Sequence, residues 1–298
     1  MNTMRSTVFT GAATAIITPM TETGVDYEAL ARLIDFQLDG GIDAIVAAGT
    51  TGEGSTLTDK EHEELIAFCV KRVAGRVPVI AGTGSNDTAH AIARTKTACA
   101  AGADAVLLVT PYYNKTTQRG LIASFSAIAD ASSVPCILYN VPSRTSLNML
   151  PETLAVLADH ERIAAVKEAC GNISQVAKEL LLCGNKIDVY SGNDDQTVPI
   201  LSLGGRGVIS TVSNLVPAEM AEICRLFFAG DVKGAAALQL RLLKLMNQTM
   251  IETNPIPVKA GCAAMGFGRY ILRLPLVEME EGNRQKLLEL MREAGISV

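Results

Sequence analysis

The chain lacks most of the features that assign a function class at first sight. It has no tryptophan, only 4% aromatic residues, and a formal charge of −5 carried by interspersed acids and bases. Without a basic stripe, nothing in the charge pattern points to nucleic acid or an anionic membrane. Mean hydropathy is +0.26, yet no apolar run approaches the roughly 18–20 residues that span a bilayer. The seven cysteines, Cys69, Cys99, Cys136, Cys170, Cys183, Cys224 and Cys262, form no C-x-x-C pair. An odd, scattered set excludes a disulfide framework and reads as reduced, mostly buried thiols. His62, His90 and His160 lie far apart without a His-Glu-x-x-His pattern, so no zinc site is expected. Gly82-Thr83-Gly84-Ser85-Asn86 lacks the third glycine of a dinucleotide fingerprint. Met1 to Thr10 shows no charged-then-apolar leader pattern, which leaves a soluble cytoplasmic protein as the expectation.

What is present is a chain of 298 residues, 48% of them hydrophobic, long enough for one large core. Strand and helix patterns take turns along it. The apolar runs Ala12 to Thr18, Ala44 to Ala47, Val77 to Ala81, Val106 to Val109, Ile137 to Tyr139, Ile163 to Val166, Ile187 to Tyr190 and Val208 to Ser210 read as strands. Each is followed by a segment of helical spacing, such as Tyr27 to Leu38, Lys60 to Val73, Gln118 to Ala129, Ile173 to Leu182 and Pro217 to Phe228. The strands do not alternate between apolar and polar, as expected when parallel strands are covered on both faces. Gly41-Ile42-Asp43-Ala44-Ile45 and Gly102-Ala103-Asp104-Ala105-Val106 repeat one device, a glycine at a helix end and an aspartate where the next strand begins. Eight such units predict an α/β fold, a (β/α)8 TIM barrel over residues 1–230, with an appended C-terminal helical segment over 231–298. Leu238, Leu242, Leu245 and Met246 form that segment's clearest apolar stripe, read as packing or a subunit interface.

In a barrel, chemistry gathers at the C-terminal ends of the strands. The most informative residue there is Lys167, which ends the run Ile163-Ala164-Ala165-Val166. A buried ammonium is costly to desolvate, and a lowered pKa leaves a neutral amine able to condense with a ketone or aldehyde. The competing reading is a lysine just past the strand, exposed or paired with Glu168. Gly49-Thr50-Thr51-Gly52 is too short for a Walker phosphate loop; it is either a tight turn or a small anion site built from hydroxyls and N–H groups. Tyr139 is either a core aromatic or, one strand before the lysine, a phenol that shuttles protons. Arg144 is either a surface charge or a fork for a substrate carboxylate.

In order and spacing, Gly49-Thr50-Thr51-Gly52-Glu53, Thr110-Pro111-Tyr112-Tyr113-Asn114-Lys115, Tyr139-Asn140-Val141-Pro142-Ser143-Arg144-Thr145, Val166-Lys167-Glu168, Gly204 to Ser210 and Asn254-Pro255-Ile256-Pro257-Val258-Lys259 resemble the dihydrodipicolinate synthase family. The likeness covers nearly the whole chain. It implies a pyruvate-dependent class I aldolase mechanism, in which Lys167 forms a Schiff base with pyruvate and the enamine attacks L-aspartate 4-semialdehyde. By the same resemblance Tyr139 moves the protons, with Thr51 and Tyr113 completing a relay and Tyr113 reaching in from a neighbouring subunit. Thr50 and Thr51 would hold the pyruvate carboxylate, Arg144 the carboxylate of the semialdehyde, and Gly192 and Ile209 would line the pocket. The family implies lysine and diaminopimelate biosynthesis and a homotetramer arranged as a dimer of dimers. No cofactor is expected, because the iminium is itself the electron sink. The alternatives are N-acetylneuraminate lyase or a related 2-keto-3-deoxy sugar-acid aldolase, which generally lack the arginine, and a non-catalytic 2-oxo-acid-binding regulatory protein.

The chain departs from the family pattern at Ser146, where glycine is common, and at Cys170, where threonine is usual. Cys170 suggests sensitivity to alkylation near the lysine. Asn86, His62 and Tyr112 match the lysine-feedback pocket of sensitive members. Asp59 and His90 stand where those members carry a histidine and a glutamate, so feedback inhibition is expected to be weak or absent.

Overall fold

The computed structural model describes residues 7–298; residues 1–6, part of the N-terminal segment read above for a leader, lie outside the described residues. Eight parallel strands close into a barrel in chain order: β1 (Gly11–Ala15), β2 (Ala44–Ala47), β3 (Val79–Gly82), β4 (Ala105–Val109), β5 (Cys136–Asn140), β6 (Ile163–Glu168), β7 (Asp188–Ser191) and β8 (Gly207–Ser210). Helices α1 (Tyr27–Asp39), α2 (Asp59–Val73), α3 (Thr88–Ala100), α4 (Gln118–Asp130), α5 (Pro142–Thr145), α6 (Pro151–Leu157), α7 (Ile173–Cys183), α8 (Thr197–Ser202) and α9 (Pro217–Phe228) link and flank them. This is the (β/α)8 architecture expected from the alternation of elements. Then follow α10 (Val232–Gln248), α11 (Ile256–Ala264) and α12 (Glu281–Glu293).

The repeated glycine-aspartate device has a structural meaning. Gly41 and Gly102 adopt φ of +76° and +88°, a conformation glycine enters without a Cβ penalty. The aspartate after each then reaches sideways to the neighbouring strand. Asp43 Oδ2 accepts from the N–H of Ala12 at 2.8 Å, and Asp104 Oδ2 accepts from the N–H of Val79 at 2.8 Å. Two strand starts are thereby tied to their neighbours at the end of the barrel away from the chemistry.

Side chains leave the strands in two directions, and two cores result. The inner one is made of small and medium residues, among them Ala13, Ala44, Val46, Ile80, Ala105, Ile137, Ala165 and Ile209. Phe9 and Tyr190 close its floor, stacked at 4.2 Å with the Tyr190 hydroxyl donating to Phe9 O at 2.7 Å. The outer core lies between strands and helices and extends to Leu242, Leu245 and Met246 of α10, so that stripe packs against the barrel's own layers. Along β6 the period-two rule sends Ala165 and Lys167 inward and Val166 and Glu168 towards the helices. The sheet register sets Tyr139 of β5 and Tyr190 of β7 on either side of Lys167.

Candidate active site

Above the inner core, at the C-terminal ends of the strands, opens a cavity of about 760 Å³. Lys167 forms part of its wall, with Tyr139, Thr50, Thr51, Arg144 and Gly192 around it. Lys167 is 5% exposed and has no hydrogen-bond or ion-pair partner among the described residues. Its nitrogen lies over the face of Tyr139, 4.4 Å from the ring centroid. Burial lowers its pKa from 10.5 to about 8; the charge of Asp194 opposes that shift and Arg144 adds to it. A substantial fraction of the amine is therefore neutral near physiological pH, which is what attack on a carbonyl carbon requires. The exposed or Glu168-paired lysine of the competing reading is not what the fold provides.

Tyr139 is buried, and its phenol is pushed up to about 12, mainly by burial, with Arg144 opposing and Glu168 contributing. It carries its proton at neutral pH and is equipped to donate it. In the loop after β2, the N–H groups of Thr50 and Thr51 bond to nothing among the described residues, while the loop is closed by Glu53 N to Thr50 O at 3.1 Å and Gly54 N to Gly49 O at 3.1 Å. Two open N–H groups beside two hydroxyls suit a carboxylate. Arg144, on α5, stands exposed at the rim. Gly192 lets β7 pass close to β6, since a Cβ there would meet the Ala169 Cβ at 2.7 Å and Glu168 O at 3.0 Å.

Two of the expected residues do not line the cavity of this chain, although the cavity expected for Tyr113 is that of a neighbouring subunit. Tyr113 is 91% exposed, with φ of +68°, and does not line the cavity of its own chain. Ile209 is fully buried in the inner core beneath the cavity and does not line it. Ser146 explains why glycine is common at its position: it caps α5 in the left-handed region at φ +52°. The alkylation sensitivity expected of Cys170 is not supported, because burial and the nearby Glu168 raise its thiol to about 12. So little thiolate forms at neutral pH that the sulfur is a poor nucleophile.

Behind Lys167, facing the helices, Glu168 accepts from Asn140 Nδ2 at 3.0 Å and from the N–H of Cys170 at 2.7 Å. Its carboxyl neighbours that of Glu179 on α7, which accepts from Gln175 Nε2 at 2.9 Å. Burial raises both pKa values, and the charge of Glu168 pushes that of Glu179 further, to about 9, so the pair keeps a proton at neutral pH. On the other side, Asp194 is buried, with Oδ2 accepting from the N–H groups of Thr211 and Val212 at 3.2 and 2.9 Å.

Several site residues were not assigned a role from sequence. Met250 to Asn254, between α10 and α11, roof the cavity. Asn254 Nδ2 donates to Thr51 Oγ1 at 2.9 Å, and its carbonyl accepts from Arg144 Nη2 at 3.2 Å. Glu53 and Lys259 form an ion pair in which both side chains are 1% exposed. Glu53 also accepts from the N–H of Arg273 at 3.1 Å. The only hint was that both partners lie in the quoted motifs. Among the described residues no group of three or more His, Cys, Asp or Glu side chains could hold a metal ion.

A closed (β/α)8 barrel with an unpaired, buried lysine and a buried phenol at its mouth defines a lyase of the class I aldolase type. The family model for the dihydrodipicolinate synthetase family matches residues 8–294. A 4-hydroxy-tetrahydrodipicolinate synthase from Caldicellulosiruptor bescii is 54% identical over 292 residues, 98% of this chain and 99% of the relative. The crystal structure of dihydrodipicolinate synthase from Aquifex aeolicus superposes with a TM-score of 0.95 at 44% identity, covering 97% of this chain and 99% of that one. The chloride-inhibited dihydrodipicolinate synthase from Acinetobacter baumannii, solved in complex with pyruvate, has a TM-score of 0.95 at 41% identity, covering 97% and 100%. The chain belongs to the dihydrodipicolinate synthetase family.

Proposed function

We propose that the protein is a 4-hydroxy-tetrahydrodipicolinate synthase, condensing pyruvate with L-aspartate 4-semialdehyde in lysine and diaminopimelate biosynthesis. The observation that carries this reading is the unpaired amine of Lys167, 4.4 Å over the Tyr139 ring and in one cavity with Thr50, Thr51 and Arg144. The neutral amine adds to the carbonyl of pyruvate while Thr50 and Thr51 hold its carboxylate. Tyr139 donates a proton to the carbinolamine hydroxyl, water leaves, and an iminium on Lys167 results. Loss of a methyl proton gives the enamine, whose carbon attacks the aldehyde of the second substrate. The amino group of that substrate then closes the ring and frees Lys167. The iminium accepts the electrons throughout, so the scheme calls on no cofactor.

Arg144 at the rim presents a planar fork suited to the carboxylate of the semialdehyde, which favours the synthase over sugar-acid aldolases. The exposure of Tyr113 supports an assembly, a homotetramer built as a dimer of dimers, in which this side chain enters a neighbour's site. Among the described residues no helix is long and apolar enough to cross a membrane, in keeping with a cytoplasmic site of action. Asp59 Oδ1 is engaged by His90 at 2.8 Å and Arg94 at 3.0 Å, and the two basic partners offset the charge it could offer an effector ammonium. Weak or absent inhibition by lysine follows, and an inhibition constant in the low-millimolar range or below contradicts it. The reading as a whole is tested by steady-state kinetics. Turnover of pyruvate with aspartate semialdehyde, and little cleavage of N-acetylneuraminate or keto-deoxy sugar acids, is expected. The reverse preference overturns the assignment.

A further inference from the structure

Asn254 touches two site residues at once, Thr51 in the loop after β2 and Arg144 on α5, from a segment remote from both in sequence. Its Nδ2 donates to Thr51 Oγ1 at 2.9 Å, across 203 residues of sequence, and its carbonyl accepts from Arg144 at 3.2 Å. The residue is 7% exposed, and its Oδ1 is buried without a partner among the described residues. An unpaired buried acceptor is unfavourable, so an amide kept there for packing alone would be a poor choice. The next turn of chain is pinned by the buried pair of Lys259 with Glu53, just beyond Thr51 in the same loop. A hydroxyl whose lone pair receives the Asn254 amide keeps its own hydrogen for another acceptor. Among the described residues Thr51 donates to none, and it lines the cavity with Tyr139.

We propose that Asn254 is a positioning residue, which acts through Thr51 by occupying the acceptor side of its hydroxyl and so presenting the hydroxyl proton to the cavity. The C-terminal segment is thereby part of the site and not only a cap on the barrel. The inference rests on the aldolase reading above, within which Thr51 serves the proton traffic of Tyr139.

The experiment is a kinetic cycle of Asn254→Ala, Thr51→Ala and the double variant, with Asn254→Asp as the isosteric change. Each is also assayed for a pyruvate adduct on Lys167 by cyanoborohydride trapping, and for melting temperature. Asn254→Ala is expected to lower kcat by about tenfold, and the double variant to be no slower than Thr51→Ala within about twofold, because the two act as one unit. Asn254→Asp, whose ionised carboxylate cannot donate and instead captures the hydroxyl proton, should lower kcat by about tenfold as well, with the pyruvate adduct on Lys167 retained. This arm decides the matter if the alanine variant fails to fold. Independent, multiplying effects in the cycle, or full turnover of Asn254→Asp, overturn the proposal. Absence of a pyruvate adduct in the unmodified protein would instead overturn the aldolase reading, so the two failures are told apart.

Discussion

The molecule buries two lysines in its upper half, and they meet opposite fates. Lys167, next to last in β6, has no ion-pair partner among the described residues, while Lys259, on α11, is paired with Glu53. Burial lowers the pKa of both, but at Lys259 the carboxylate of Glu53 works against the shift through its charge and its hydrogen bond. One amine is released to react; the other is spent as a fastener between the loop after β2 and the C-terminal segment. Burial alone therefore does not make a lysine nucleophilic. The missing partner does.

The strongest way to break the comparison is to remove each amine in turn. Lys167→Ala should abolish synthase turnover, by about 10⁴-fold or more, with the fold intact by circular dichroism. Lys259→Met should act on stability, since it strands the Glu53 carboxylate in the interior, at a cost of about 3–5 kcal/mol by denaturant titration. Adding Glu53→Gln should recover part of that loss. Equal loss of stability in both lysine variants would erase the distinction.

A subtler test uses linkage. The folded pKa of Lys167 is depressed from 10.5 to about 8. The resulting penalty is absent above pH 10.5, grows as pH falls towards 8, and is complete below it. Lys167→Met should thus be more stable than the parent at neutral pH by about 3 kcal/mol, the equivalent of that shift at 1.36 kcal/mol per unit. The gain should vanish in strongly alkaline buffer. The buried carboxyl pair behind the lysine has the opposite sign. The pKa of Glu179 is raised from 4.5 to about 9, so the stability tied to its proton is full at acidic pH and is lost as pH rises through about 9. Glu179→Gln should be neutral at pH 4 and stabilising by about 3 kcal/mol near pH 7, by thermal melts across pH. The smallest effect belongs to Ser146, whose left-handed conformation glycine adopts freely; Ser146→Gly should add up to about 1 kcal/mol.

The barrel was legible because its physics is local. Doubly covered strands read as short apolar runs, and the intervening helices show their period. Boundaries were less so. The run from Ala12 to Thr18 leaves the sheet after Ala15, with Ile17 N donating to Asn214 and the Thr18 hydroxyl to Gly52 O. The third strand starts at Val79, after Pro78, and not at Val77. Lys167 stood out as a charge closing a strand with no polar alternation, and Tyr139 followed from strand adjacency. The bonds of Asn254 to Thr51 and of Lys259 to Glu53 could not be read, because each crosses more than 200 residues of sequence. Tyr113 and Ile209 entered through resemblance alone.

Trapping of the pyruvate adduct with cyanoborohydride as a function of pH, with peptide mapping of the modified lysine, bears most directly on the unpaired amine. The label should fall on Lys167 and not on Lys259, and the trapping rate should rise with pH to a plateau with a midpoint near the lowered value of about 8. A label elsewhere, or a midpoint at the ordinary lysine value of 10.5, would contradict it.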